Sequence, residues 1–538
     1  MTVTSVTNLG NIARAEYKAL FDTEVAKGIR QPLVLPFCLF GPFLVPIIFL
    51  AIPYRNRRWL YHARWLVVAF VVAFDTHMIR TMSSHNVAPA YASGLMGGWG
   101  ILATLNLLVW TNPQANYARV IKVTKDNKLR TLSRRLSTAA DGMNQENGIR
   151  QRKSKQEVNA LSGDIGGHAR YGSSEDAVYV WQKFPENGSF GERLNWTLDL
   201  ATNFRQIGWN CSISSVPRPD IPSNIRDGDL VSFDNMPIMS RSGYYRNLTK
   251  REFVWIRVRR VFLLIFLLDF CSVAMVKDPY CVYGPDQGFE LPLFLQRLPP
   301  WLRFIYRELL CLAGIYAAID AIFSLHDLFQ FYVFSYFYPM RGELWQYTNI
   351  FGPISQVLDR GLAGWWGAFW HQTFRLQFVA PAKFLVDNGY LEGEKLRTQI
   401  ITLYLSFIQS GLLHASGSMS SMSTTRPWRS PLFFFLQPPG IILQLLLLQT
   451  LDKHFPNTPQ WLRRIVNAVF TLGWLCLTAF LFTDDISSSR IWLLEPVPIS
   501  PLRWLGFGHP DDHWWRWRRY MFPIWHSDKS WWKSGIQL

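Results

Sequence analysis

His414 stands in the run Ser410-Gly411-Leu412-Leu413-His414-Ala415-Ser416-Gly417, where it closes an apolar stretch from Ile400 to Leu413 of membrane-helix character. Earlier in the chain, His371 stands among aromatic residues in Trp365-Trp366-Gly367-Ala368-Phe369-Trp370-His371-Gln372. A neutral imidazole in an apolar setting can act as general base. It takes the proton of a hydroxyl, a poor nucleophile at neutral pH, as that hydroxyl attacks a carbonyl. An ionisable residue at membrane depth is a functional candidate by default. The competing reading of His414 is a histidine bonded to a neighbouring helix, and position alone does not separate the two. His371 taken alone reads first as part of an aromatic belt at the interface. Its chemical role would be to donate a hydrogen bond to a thioester carbonyl or the oxyanion it becomes. Together the two histidines suggest acyl transfer inside a membrane.

Asp320, His326 and Asp327 form a third group, on a long apolar run. Asp320 and Asp327 share a helix face, where they line a polar tunnel or bond to neighbouring helices. Arg375 and Lys383 follow His371 and could meet cofactor phosphates, or snorkel to the membrane surface. Other chemistries lack their motifs. There is no Gly-x-Ser-x-Gly elbow, Walker A loop, His-Glu-x-x-His or His-x-x-x-Asp. Gly98-Trp99-Gly100-Ile101-Leu102-Ala103 matches a dinucleotide loop by letter, but it lies in an apolar run with no preceding strand. The cysteines (Cys38, Cys211, Cys271, Cys281, Cys311, Cys476) are scattered, with neither metal-ligand spacing nor a disulfide framework. No metal is expected.

The elements that must carry these groups are membrane helices. Of 538 residues, 49% are hydrophobic, with 24 Trp and 38 Phe; the mean hydropathy of +0.04 reflects dilution by one polar segment. A span needs about 20 apolar residues. The candidates are Leu33–Pro53, Trp65–Thr81, Ala92–Trp110, Val254–Met275, Leu309–Phe337, Thr398–Ala415, Pro431–Leu451 and Val466–Phe482. Phe374–Val386 is shorter and amphipathic, interfacial or re-entrant. The expectation is an all-α, polytopic transmembrane bundle of about eight to nine spans. The first 30 residues, polar and of mixed charge, do not resemble a cleavable signal peptide.

The net charge of +17 tracks the spans, which argues against nucleic acid as its partner. Arg55, Arg57 and Arg58 lie between the first two spans, and a dense basic run occupies 115–155. By the positive-inside rule both face the cytosol, and the basic run would attract anionic lipid heads. Four regions follow. Residues 1–110 hold three spans, 111–250 form a long cytosolic loop, 251–485 the membrane core, and 486–538 a Trp- and Arg-rich interfacial tail. Within the loop, 120–175 has the composition of a disordered linker. The stretch 195–209 has helical spacing, with Gly208 at its expected end. The sequons at Asn187, Asn195, Asn210 and Asn247 all fall in this loop and would be silent.

Trp-Trp-Gly-Ala-Phe-Trp-His-Gln at 365–372, followed by Ser-Gly-x-x-His at 410–414, resembles the fungal wax synthase-like branch of the membrane-bound O-acyltransferases. Leu198 through Trp209 also resembles the segment preceding the fourth span in that branch. The likeness covers about 195–485; the family more often has Phe at 365 and Gly at 206. It implies an MBOAT-like helix bundle with a tunnel between its two faces. His414 would be the base and His371 its partner, with Trp370, Gln372, Arg375 and Lys383 as cofactor contacts. Acyl-CoA would enter from the cytosol. The implied reaction moves acetyl from acetyl-CoA to a hydroxyl of a hydrophobic secondary metabolite (a terpenoid, meroterpenoid or trichothecene-like alcohol) in the endoplasmic reticulum membrane. Long-chain acyl transfer in wax or sterol ester synthesis is the alternative. A non-catalytic transporter is the alternative of another class.

Overall fold

In the computed structural model, residues 8–124 and 177–538 are described. Most of them are helical, and side-chain caps mark where several of the helices begin. Asn8 caps α1 (Leu9–Ala26), its side chain accepting from the Asn11 amide. The apolar run expected as the first span is instead broken. A 3-10 turn at Phe37–Leu39, a π turn at Phe40–Leu44 and a short helix at Val45–Leu50 follow one another, interrupted by Pro36, Pro42 and Pro46. Next come α2 (Arg58–Thr81) and α3 (Val87–Leu105), the latter capped by Asn86.

The strands Ala118–Thr124 and Ala177–Lys183 pair antiparallel, from Ala118 opposite Lys183 to Thr124 opposite Ala177. Of the stretch expected as a linker, residues 120–124 are strand instead, and the rest lies outside the described residues. The helix expected over 195–209 is α4, Phe190–Thr202. It starts earlier because Ser189 and Glu192 form a reciprocal capping box. It stops at Asn203, and the chain then turns through left-handed residues Gln206 and Gly208.

The membrane part continues with α5 (Lys250–Met275), α6 (Pro300–Tyr332), α7 (Ser355–Gly364), α8 (Arg375–Asp387), α9 (Leu396–Ser420), α10 (Arg429–Phe435), α11 (Gln437–His454), α12 (Gln460–Thr478) and α13 (Phe480–Ser488). Among the described residues, four stretches qualify as spans by length and apolarity: Arg58–Thr81, Val87–Trp110, Pro300–Tyr336 and Arg429–His454. A fifth arises if α12 and α13, bent by 44°, act as one. That is fewer than the apolar runs suggest, for identifiable reasons. The first turns of α5 carry Lys250, Arg251, Glu252, Arg257, Arg259 and Arg260, and α9 is diluted by Thr, Gln, Ser and His. A belt of exposed apolar side chains, including Leu66, Phe262, Leu325, Leu446 and Val469, lies on several of these helices. Such contiguous exposure suits lipid contact.

Asp320 and Asp327 bond to a neighbouring helix. Asp320 pairs with Arg260 at 3.2 Å and Asp327 with Arg257 at 2.9 Å, both across the α5–α6 contact. The tail is also more integrated than its Trp and Arg content implies. Arg503 is sealed against Asp269 of α5, Glu495 and Asp512 at 3.7, 3.3 and 3.2 Å. Arg516 meets Glu495 at 2.6 Å, and Arg14 of α1 reaches the same carboxylate at 2.5 Å. The last residues, Gly535–Gln537, pair with Val34–Leu35 near the other end of the chain. Its tryptophans Trp504, Trp525 and Trp531 nevertheless remain largely exposed.

Candidate active site

Small residues decide where His414 sits. A Cβ on Gly94 of α3 would come within 1.9 Å of the Ser416 carbonyl oxygen, and one on Gly98 within 2.4 Å of the Ser416 hydroxyl. On another side, a Cβ on Gly411 would lie 2.6 Å from Pro431 Cα of α10. Gly411 in the Ser-Gly-x-x-His run thus lets α10 press against α9, while Gly94 and Gly98 of α3 let that helix press on Ser416 and Ser420 beyond it. The Gly94 amide donates to Ser420 Oγ at 3.0 Å, which fixes the crossing. The imidazole lies flat on Phe434, with ring centres 5.3 Å apart and planes 6° apart, and meets Phe482 edge-on at 4.9 Å. These contacts lock its ring plane.

His371 sits just past a π turn, Trp365–Phe369, which ends at Trp370 in extended conformation. Several bonds hold this irregular backbone. Gln372 Nε2 donates to the Trp366 and Trp370 carbonyls at 3.0 and 2.6 Å. One Arg375 nitrogen donates to the Gly367 carbonyl and to Gln372 Oε1, both at 2.8 Å. The Tyr244 hydroxyl donates to the Ala368 carbonyl at 3.0 Å, and burial pushes its pKa up to about 12, so it stays a donor. Trp366 Nε1 reaches Gln437 of α11 at 3.2 Å. Irregular backbone at such a site needs its polar groups satisfied internally, and these side chains do that.

Both histidines line one cavity, which encloses about 900 Å³ of space between atoms, open mouth included. Each ring is only half-buried, because its free surface faces that cavity. Nδ1 of His371 and Nδ1 of His414 are both buried without a hydrogen-bond partner among the described residues. A buried polar nitrogen without a partner is costly, and here it occurs on both of the histidines whose remaining ring surface lines the cavity. The walls are mostly apolar: Leu312, Ile315 and Ile319 of α6, Leu475 of α12, Phe433 and Phe434 of α10. Leu309 and Leu472 line the cavity yet are 56% and 54% exposed, so its mouth lies on the apolar outer face.

The other expected contacts separate. Trp370 lines the cavity, stacked on Trp365 with ring centres 5.8 Å apart. Gln372 and Arg375 turn to the backbone carrying His371. Lys383 is exposed and pairs only loosely, at 4.0 Å, with Asp387. A second cavity of about 560 Å³ lies beyond the same loop. It is polar, and Arg205, His326, Asp327, Gln330, Arg341 and Thr373 line it. Thr373 Oγ1 and Gln330 Oε1 are buried there without hydrogen-bond partners among the described residues. Segment 370–373 therefore divides an apolar space from a polar one. Sequence reasoning missed Glu308, Cys476 and Thr483, which also line the apolar cavity. Glu308 could have been found as a carboxylate close to the start of a long apolar run. Among the described residues no cluster of His, Cys, Asp and Glu could hold a metal ion.

Residues 347–436, which carry both histidines, match the model of the membrane bound O-acyl transferase family. The chain is 20% identical to the acetyltransferase sirH of Leptosphaeria maculans, over 57% of this chain and 68% of that protein. It is 25% identical to the acetyltransferase spyB of Aspergillus fumigatus, over 28% of each. It is 22% identical to the O-mevalon transferase yanI of Aspergillus niger, over 53% of this chain and 60% of that one. The matches span between 28% and 68% of these relatives' own lengths. No solved structure matches the chain. Family segment and fungal relatives together support an acyltransferase of MBOAT-like type from fungal secondary metabolism.

Proposed function

We propose that this membrane-bound acyltransferase moves an acetyl group from acetyl-CoA to a hydroxyl of a hydrophobic acceptor, a terpenoid or similar polycyclic alcohol. The carrying observation is the single cavity that His371 and His414 both line, each with a buried Nδ1 that has no hydrogen-bond partner among the described residues. In this reading His414 takes the hydroxyl proton as the oxygen attacks the thioester carbonyl. His371 donates a hydrogen bond to the oxyanion that forms. Collapse of that oxyanion expels CoA thiolate, which takes up the proton and leaves as thiol. Direct attack suffices, and no acyl-enzyme is needed. The exposed leucines at the mouth, Leu309 and Leu472, suit an acceptor that arrives from lipid. The polar cavity beyond the His371 loop, with the cationic Arg205 and Arg341, suits the phosphate-bearing end of CoA. Trp370 would contact the reacting acyl group; Gln372 and Arg375 act through the loop they hold, and Lys383 supplies surface charge near it.

The same reading includes eight to nine spans, a cytosolic 111–250 loop and residence in the endoplasmic reticulum membrane. The size of the apolar cavity also favours a second reading, a longer acyl group on the donor. The test uses microsomes with wild type or His414→Ala at matched expression, labelled acetyl-CoA and a lipid extract rich in terpenoid alcohols. Label entering an ester with wild type, and not with the mutant, supports the reading. Equal labelling by both refutes the base role. Labelling from long-chain acyl-CoA in preference to acetyl-CoA moves the reading to the longer donor.

A further inference from the structure

The apolar cavity has one acidic side chain, and the two histidines do not account for it. Glu308 stands on the face of α6 that also carries Leu312, Ile315 and Ile319, at helical spacing along the wall. It is only 9% exposed. Its Oε1 accepts from Thr483 Oγ1 at 2.7 Å. Its Oε2 has no hydrogen-bond partner, and no Lys or Arg pairs with the carboxylate, among the described residues.

This carboxylate is not needed to satisfy Thr483. That hydroxyl also reaches the carbonyl of Ala479, the residue that caps its helix, at 3.2 Å. It is braced from behind by the Tyr280 hydroxyl, 3.4 Å away, which itself donates to Asp484 at 2.8 Å. A leucine at 308 would continue the apolar stripe and leave no polar group stranded. A buried carboxylate held by one hydroxyl is expensive unless something else completes it. A carboxyl oxygen without a partner on the wall of an apolar cavity is completed by a hydroxyl on the molecule that fills it, which can both donate and accept.

We infer that Glu308, oriented by Thr483, recognises a second hydroxyl or equivalent donor on the acceptor, so that the preferred substrate is a diol rather than a plain mono-ol. The inference rests on the acyl-transfer reading for the identity of the cavity's occupant. Glu308 holds the acceptor by its spectator group, while the hydroxyl that reacts lies at the histidines. Leaving a buried polar group unpaired costs roughly 1–3 kcal/mol, which corresponds to about tenfold in affinity.

The test uses the full chain in lipid nanodiscs and matched mono-ol and diol pairs on sterane, terpene and alkyl skeletons. Binding is read from ligand-dependent melting shifts, for wild type, Glu308→Gln, Glu308→Leu and His414→Ala. At least one wild-type pair should show the diol bound about tenfold more tightly. That preference should shrink in Glu308→Gln, which keeps the shape and one neutral acceptor, and vanish in Glu308→Leu. His414→Ala should keep the preference in binding. Absence of any diol preference in wild type overturns the inference, as does an unchanged preference in both Glu308 variants. Labelled acetyl transfer to the same pairs separates the two ideas. Transfer that survives in His414→Ala sinks the acyl-transfer mechanism, while the binding comparison still decides the role of Glu308.

Discussion

Replacing Gly94 by alanine adds one methyl group at the helix crossing that sets the position of His414. The new Cβ would lie 1.9 Å from the Ser416 carbonyl oxygen and 2.4 Å from Ser420 Oγ. A tolerable carbon–oxygen approach is about 3.3 Å, so α3 and α9 must part by roughly 1.4 Å. Overpacking of this kind costs about 1–3 kcal/mol, offset by about 1 kcal/mol from the better helix propensity of alanine. Stability should therefore fall by no more than about 2 kcal/mol. Activity should fall much further, because a shift of about 1 Å in a positioned group can lower a rate about 100-fold. The assay pairs the melting temperature of purified protein with labelled acetyl transfer. The control is Gly473→Ala on α12, where a Cβ meets nothing within 4 Å; it should match wild type. If Gly94→Ala also matches wild type in both measurements, the close α3–α9 crossing does not position the base.

Gln372→Leu removes three bonds that hold the loop presenting His371, two to its carbonyls and one from Arg375. It should lower kcat by roughly 10- to 100-fold and leave KM for acetyl-CoA unchanged; a rise in KM alone would instead make Gln372 a cofactor contact. Arg503→Ala takes the one paired guanidinium from buried Asp269, while Glu495 keeps Arg14 and Arg516 and Asp512 keeps Arg516, and breaking into a buried ion cluster costs up to about 3–5 kcal/mol. A clear drop in melting temperature is expected, and an unchanged one would mean that the tail docks by other contacts. Asn187 is the exposed sequon, whereas Asn247 is buried with its amide donating to the Tyr347 carbonyl at 3.1 Å. Endoglycosidase treatment should leave the protein's mobility unchanged, and a shift abolished by Asn187→Gln would place the loop in the lumen.

Both histidines were legible in the sequence because each lies in a run whose residue types are unusual for its setting. The small residues around His414 signalled a close approach, and the approaching partners proved to be α3 and α10. Span boundaries were less legible. Hydropathy marks an apolar run but not the prolines that break it, so Leu33–Pro53 reads as one span while its backbone changes helix type twice. Reading the long span from Leu309 excluded Glu308 by a single residue, although α6 begins at Pro300. Gln372 looked like a ligand contact because a local motif does not say which way an amide turns. The tail arginines looked interfacial because their carboxylate partners, such as Asp269, lie far away in the chain.

The central claim is that His371 and His414 act together on one acyl transfer. Initial rates with acetyl-CoA and a fixed acceptor, measured for wild type, His371→Ala, His414→Ala and the double mutant, test it most directly. Residues that act as a unit lose most of their effect at the first removal. The account predicts that His414→Ala abolishes transfer nearly as completely as the double mutant does, with His371→Ala lowering kcat strongly. Losses that multiply independently, or a His414→Ala protein that still transfers acetyl at the wild-type rate, would contradict it.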